Sequence, residues 1–278
     1  MWCKTPFKTL LRKFQRPLQK PLQRGPADNM NRLVRPGSQE EKVGRLILAA
    51  VLVVFLPALP FGNYLAYPFV ILATWFHEMG HGMTAMLMGF DFERLEILSN
   101  GSGVAISRVP NDASNIAQAL VSAGGPLGPA IVGSVLILAS SQQRFWRPAL
   151  FTLAAVITIS TLIWVRSWTG WLVLPLVAIA LTAIAMKASE GVTRFMLQFL
   201  GIHAALSMFA QWDYLLMERA VIGGRPMLSD TGAMEEHLWL PHWLWAGLII
   251  VTATAMILAS LRYALRPQLP NNVGQFRP

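Results

Sequence analysis

The dominant pattern in the chain is a series of long apolar runs separated by short polar or basic stretches. A transmembrane helix needs about 20 predominantly apolar residues, and several runs reach or approach that length. By hydropathy they cover 46–61, 64–89, 115–140, 148–165, 170–187, 192–216 and 240–262, the first being short at its apolar core. The pattern therefore predicts an all-α polytopic membrane protein with six to seven transmembrane helices.

Composition agrees with this pattern and bounds the domains. Hydrophobic residues make up 54% of the 278 positions and charged residues only 13%, about half the charged fraction usual in soluble domains. Cys3 is the single cysteine, which excludes internal disulfides and a cysteine-based metal cage. We predict a basic, disordered arm over 1–44, a membrane domain over 45–265 and a short tail over 266–278.

Positive charge is concentrated ahead of the first apolar run. The first 45 residues contain eleven Lys or Arg residues against three acidic ones, which predicts a cytoplasmic N-terminus in a bacterial inner membrane. The C-terminal tail is also basic, which suits an even number of spans, whereas seven spans would place it outside. The net charge of +9 accompanies no visible nucleic-acid-binding motif, so we interpret it as contact with anionic lipids and predict no nucleic-acid partner.

The second apolar run contains the stretch "FHEMGHGM", with His77, Glu78 and His81. Each ionisable group near a bilayer centre costs about 2.5–3.5 kcal/mol, so three within five positions indicate a function. On a helix, positions i and i+4 share one face, and two imidazoles at that spacing can bind one tetrahedral metal ion. Glu78 lies between them, where it can take a proton from water without being a ligand.

Two further stretches follow this motif. The stretch "RLEILSNGSGVAISRV" alternates apolar and polar residues around Asn100 and Gly101, which predicts a small β-hairpin after the motif helix. The stretch "VSAGGPLGPAIVG" at 121–133 contains three Gly and two Pro residues within six positions, which predicts a break or kink in the next membrane helix.

The stretch "FHEMGHGMTAMLMGF" resembles the active-site helix of the site-2 protease-type intramembrane zinc metallopeptidases, especially their compact bacterial and plant-like branch. The resemblance implies Zn²⁺ as cofactor, held by His77, His81 and an aspartate from a later helix. It also implies that Glu78 is the general base toward a zinc-activated water, and that the substrate is the transmembrane segment of another membrane protein. The family carries a comparable β element beside its active site, thought to pair with extended substrate, and a Gly-Pro segment on the neighbouring helix.

The third ligand remains open between two aspartates. Asp213, in "FAQWDYLLM", lies near the end of the sixth apolar run, at a depth that suits a ligand. Asp230, in "PMLSDTGAMEEH", matches a Ser-Asp pair that the branch carries before its last span, although an N-cap is an alternative role. The leucine-aspartate-glycine motif of the better-known branch is absent. We prefer Asp230 and keep Asp213 as the alternative.

These observations favour an intramembrane zinc metalloendopeptidase and leave two alternatives. One is a membrane metal transporter, because histidines and carboxylates within membrane helices also form transport sites; the inverted repeats common in transporters are not apparent. The other is a non-catalytic relative that binds membrane proteins without cutting them, which the intact Glu78 argues against.

Overall fold

A computed structural model describes residues 38–266, so most of the predicted arm and tail lie outside the described residues. The first helix, α1, covers Gln39–Phe55, and a short 3-10 turn over Leu56–Ala58 joins it to α2, Gly62–Leu87. The chain bends by 118° between these two helices. The runs predicted as two separate spans therefore form one sharply bent pair, because Phe61 adopts a left-handed conformation (φ 61°) immediately before α2.

Five other helices are long and apolar enough to cross a bilayer. They are α3 (Asn115–Ser140), α4 (Gln143–Ile163), α5 (Trp168–Lys187), α6 (Glu190–Ala210) continued by the short α7 (Trp212–Leu216), and the final helix, α9 (His242–Ala264). Between α7 and α9 lies the eight-residue α8, Asp230–His237. Residues 38–266 thus provide five spans, or six when the bent α1–α2 pair is counted as one. The protein is an all-α polytopic membrane protein, and its five or six spans are at or just below the lower end of the predicted six to seven.

Two small antiparallel hairpins interrupt the helices. Strands β1 (Asp91–Ile97) and β2 (Gly103–Arg108) form the hairpin predicted around Asn-Gly. Strands β3 (Arg219–Ile222) and β4 (Arg225–Leu228) form a second hairpin that was not predicted. Its turn is Gly223–Gly224, both with positive φ, and Gly-Gly between two strands is a recognised hairpin signal.

Helix α3 lies at the centre of the bundle and packs on α2, α6, α8 and α9. Glycines allow its backbone to approach its neighbours: a Cβ added to Gly80 would lie 2.2 Å from the carbonyl oxygen of Gly124, and one added to Gly133 would lie 2.7 Å from that of Gly201. Close backbone approach stabilises helix pairs in lipid, where the hydrophobic effect does not drive association. The sequence predicted a break or a kink in this helix, and the break is wrong, because α3 continues through Pro126 and Pro129.

The outer faces of the bundle are apolar. Large hydrophobic side chains that are more than half exposed include Leu172, Leu176, Ile179, Leu248 and Val251 on α5 and α9. In water such a surface would favour aggregation, whereas hydrocarbon solvates it. The exposed apolar side chains are therefore those expected to face lipid.

Candidate metal centre

Helix α2 places His77, Glu78 and His81 in the interior of the bundle. The helical spacing brings Nε2 of His81 to 3.2 Å from Nε2 of His77. His77 and Glu78 are only 8% and 6% exposed. The two Nε2 atoms are therefore directed at a common point, as two ligands of one metal ion would be.

The carboxylate of Asp230 completes a triangle with these two nitrogens. Its Oδ2 lies 3.1 Å from Nε2 of His77, and its Oδ1 lies 3.2 Å from Nε2 of His81. Ligands about 2.0–2.1 Å from a tetrahedral zinc ion are about 3.3 Å from one another. Oδ2 is buried without a hydrogen-bond partner, as expected of an oxygen whose lone pair is directed at a cation. Two neutral imidazoles and one carboxylate form a donor set that suits zinc.

The alternative ligand, Asp213, lies outside this triangle. Its residue is exposed on α7, and the group of possible ligands found in the described part of the chain consists of His77, His81 and Asp230. The next residue, Tyr214, does reach the site, since its hydroxyl lies 3.4 Å from Oδ1 of Asp230. The turn at the end of α6 directs Tyr214 inward and Asp213 outward.

The residues on either side of Asp230 fix its position. Ser229, rather than Asp230, caps α8, because its hydroxyl accepts a hydrogen bond from the N–H of Gly232 and also donates to the carbonyl of Met217. Thr231 donates to the carbonyl of Leu215 at 2.6 Å. These bonds join α8 to the end of α7, and the Asp230 carboxylate is therefore free for the histidines.

Two carboxyl groups on α8 are held ionised by different surroundings. Burial opposes ionisation of Asp230, but His81 and His77 hold the pKa of its carboxyl well below the usual range. The pKa of Glu235 is lowered because its carboxylate accepts hydrogen bonds from the N–H of His242 and from the His242 ring at 2.6 Å. Glu235 thereby anchors the C-terminal end of α8 to the start of α9.

The orientation of His81 is set by α3. Its Nδ1 donates to the carbonyl oxygen of Val121 at 2.8 Å, which leaves Nε2 as the atom with a free lone pair. The ring lies against Gly125, where a Cβ atom would come within 2.1 Å of Nε2. The Gly-Gly-Pro stretch thus provides space for a histidine ring rather than a break in the helix.

We expect Gly125→Ala to displace the His81 ring, because no real Cβ approaches a ring atom at 2.1 Å. The expected effect is a 10- to 100-fold loss of metal affinity and a lower unfolding temperature from overpacking. The control is Gly247→Ala on α9, where an added Cβ would meet nothing within 4 Å, so the better helix propensity of alanine should be neutral or stabilising. Metal titration and thermal unfolding of both variants measure the difference, and equal behaviour would contradict the assignment.

The β1–β2 hairpin folds back along α2 and covers Glu78. A Cβ at Gly103 would lie 2.8 Å from Oε1 of Glu78, and the backbone amide of Ala105 contacts the same carboxylate. The turn is fastened to α2 by Thr74, whose hydroxyl donates to the carbonyl of Gly101 at 2.5 Å. Strand β2 therefore passes directly over the acidic residue of the motif.

Within residues 38–266 no strand pairs with the edge of β2 that faces the site. The N–H and C=O of Leu95 on β1 bond to the backbones of Trp164 and Arg166, so Leu95 and its partner Ala105 form a non-hydrogen-bonded pair. The backbone groups of Ala105, and by alternation those of Gly103, consequently point away from β1 and toward the histidines. The N–H of Ala105 already donates to the Glu78 carboxylate, whereas the carbonyl of Ala105 and the backbone groups of Gly103 are positioned to pair with an extended peptide.

A cleft of about 590 Å³ lies between this edge and the second hairpin. One wall consists of β2 with its turn and the other of β3–β4, while His77, Glu78, His81 and Asp230 line its floor. The sequence analysis did not identify the second wall, and the signal that it overlooked is Gly223–Gly224. A volume of about 590 Å³ lies within the range of ligand-binding clefts in proteins.

Comparison with known proteins agrees with this geometry. A family model described as Peptidase M50B-like matches residues 46–260, which contain most of the bent helix pair, the motif, both hairpins and most of the last span. No curated protein and no solved structure gives a significant match. The match covers well over half of the chain, and the protein belongs to the Peptidase M50B-like family, a site-2 protease family of intramembrane metalloproteases.

Proposed function

We propose that this protein is a zinc-dependent intramembrane endopeptidase that cuts the transmembrane segment of another membrane protein. The observation that carries the proposal is the convergence of His77, His81 and Asp230 at 3.1–3.2 Å, beside the carboxylate of Glu78 and inside a membrane bundle. Family membership supports the same class of reaction.

In this proposal Zn²⁺ is held by Nε2 of His77, Nε2 of His81 and the Asp230 carboxylate. When bound, zinc would lower the pKa of a water molecule toward neutrality and polarise the scissile carbonyl. Val121 fixes the His81 tautomer, and the Ser229 and Thr231 bonds keep Asp230 in place. Three protein ligands leave one position open, as catalytic rather than structural zinc sites require.

Glu78 is the proposed general base. Its carboxylate lies on the same helix as the two histidines and accepts the proton of the attacking water, which it then passes to the leaving amine. Gly103 packs against it and the Ala105 amide contacts it, so its position depends on the hairpin. The cleft surface from Gly101 to Ala105 keeps bulk water away from one side of the carboxylate.

The proposed substrate is a membrane-spanning segment that has lost its helical structure at the cut site. A helix satisfies its own backbone hydrogen bonds and hides its peptide bonds. The backbone groups of Gly103 and the carbonyl of Ala105 would replace those bonds if the substrate joined β2 as an added strand. The β3–β4 hairpin, with Val221 and Met227 lining the cleft, would form the opposite side.

We further propose a bacterial inner-membrane location with a cytoplasmic N-terminus. Six spans would leave both basic ends of the chain on one side of the membrane, which agrees with the preference of Lys and Arg for the cytoplasm. Anionic lipids are the expected partners of these charges, and the proposal includes no nucleic acid.

The experiment is cleavage of a single-pass model substrate, tagged at both ends and reconstituted with the purified protein in liposomes. We expect fragments cut within the membrane segment, abolished by 1,10-phenanthroline and restored by Zn²⁺ but not by Mg²⁺, which prefers oxygen ligands. Zinc entry into protein-containing liposomes without cleavage would support a transporter instead. Stable capture of the substrate without cleavage would support a non-catalytic binding protein.

A further inference from the structure

A second, larger cavity opens on the lipid-facing side of the bundle. This groove has a volume of about 1030 Å³ and lies between α2, α3, α4 and α9. Its wall is almost entirely apolar and includes the buried Trp75 and Phe76 of α2. It shares no lining residue with the cleft that contains the histidines, so it is not part of the proposed substrate path.

The length and direction of the groove match one leaflet of a bilayer. On α3 its lining extends from Ile131 to Ala139, and on α4 from Phe145 to Val156. At 1.5 Å per residue the two stretches rise about 12 Å and about 16 Å, which is roughly half of the 30 Å hydrocarbon core. A groove of this length would extend over about one leaflet of a bilayer.

Two arginines lie beside aromatic rings of the groove wall, and one of them, Arg144, also lines a smaller adjoining pocket that contains Glu190. The guanidinium of Arg144 lies 4.6 Å from the ring centre of Phe145, and that of Arg266 lies 5.8 Å from the ring centre of Tyr263. Both rings line the groove. Helices α3, α4 and α9 contain no Asp or Glu, and within residues 38–266 neither arginine takes part in an ion pair.

We propose that this groove binds one anionic glycerophospholipid. Its phosphate-bearing headgroup lies against Arg144 and Arg266, and its acyl chains fill the apolar groove down to Trp75 and Phe76. Charge complementarity selects an anionic lipid over a zwitterionic one, and the one-leaflet length selects a phospholipid over a transmembrane helix, which would need the full bilayer thickness. The proposal is independent of the proposed peptidase activity.

The test compares two lipids with identical chains, dioleoylphosphatidylglycerol and dioleoylphosphatidylcholine, titrated onto the detergent-purified full chain and followed by native mass spectrometry. We expect one phosphatidylglycerol to bind in preference to phosphatidylcholine. Replacing both arginines (Arg144→Gln with Arg266→Gln) should weaken phosphatidylglycerol binding about 25-fold, about 5-fold for each charge. Arg225→Gln, an exposed arginine on β4, is the charge-matched control and should leave binding unchanged.

A filling variant tests the groove itself. Ala259 lines the groove, whereas Ala255, one turn earlier on α9, is exposed and does not line it. Ala259→Trp should remove the bound lipid, and Ala255→Trp should retain it with the same unfolding temperature as the unmodified protein. Equal binding of phosphatidylglycerol and phosphatidylcholine would overturn the proposal. Phosphatidylglycerol binding that changes neither in Ala259→Trp nor in the variant without both arginines would also overturn it. Either result would indicate nonspecific lipid contact only.

Discussion

Replacement of Glu78 by glutamine is expected to reduce cleavage of a membrane substrate by about 10³-fold or more while metal binding is retained. Glutamine has nearly the same shape as glutamate, so it preserves the packing against Gly103, but it cannot accept a proton from water. General-base catalysis typically contributes 10²- to 10⁴-fold to a rate, and no other carboxylate in the described cleft lining apart from Asp230 is available to replace it.

The Glu78 measurement needs both a rate and a metal content. Single-turnover cleavage gives the rate, and elemental analysis of the same preparation gives zinc per chain. Glu236→Gln, an exposed carboxylate on α8, is the matched control and should cleave normally. If Glu78→Gln lost its metal together with activity, Glu78 would be acting as a ligand. If it cleaved at the normal rate, the proposed mechanism would be wrong.

The second large effect is expected at the third ligand. Asp230→Asn should lower zinc content from about one per chain to nearly none, since an amide oxygen without charge is a far weaker ligand than a carboxylate. The substitution keeps the size of the side chain, and the bonds of Ser229 and Thr231 that shape the start of α8 do not involve it. The protein should therefore remain folded without metal.

Asp213→Asn is the control that distinguishes the two candidate aspartates. Asp213 is exposed on α7 and outside the triangle of donors, so this variant should bind zinc and cleave substrate as the unmodified protein does. His77→Ala should resemble Asp230→Asn. Loss of zinc in Asp213→Asn together with normal zinc content in Asp230→Asn would make Asp213 the third ligand. Normal zinc content in all three variants would show that zinc does not bind at this site.

Local chemistry was accessible from the sequence because it depends on residues close together in the chain. The apolar runs predict the membrane helices through their length alone. The spacing of His77 and His81 brings their side chains together on any helix, and Asn100–Gly101 specifies a hairpin without reference to the rest of the fold. These features can be predicted from helix and turn geometry and from the free energy of transferring side chains from water into the membrane.

Contacts between residues distant in the chain were decided by the tertiary structure. Asp213 and Asp230 are both aspartates, so their side chains alone do not show which one is the ligand. Only the packing of α8 against α3 and α7 brings Asp230 to the histidines. The bend between α1 and α2, the open edge of β2 and the space that Gly125 leaves for the His81 ring likewise arise where separate elements meet. The sequence by itself determined which chemical groups are available and on which helix, whereas their distances from one another, and hence the metal site and the cleft above it, depend on packing that has no local signal.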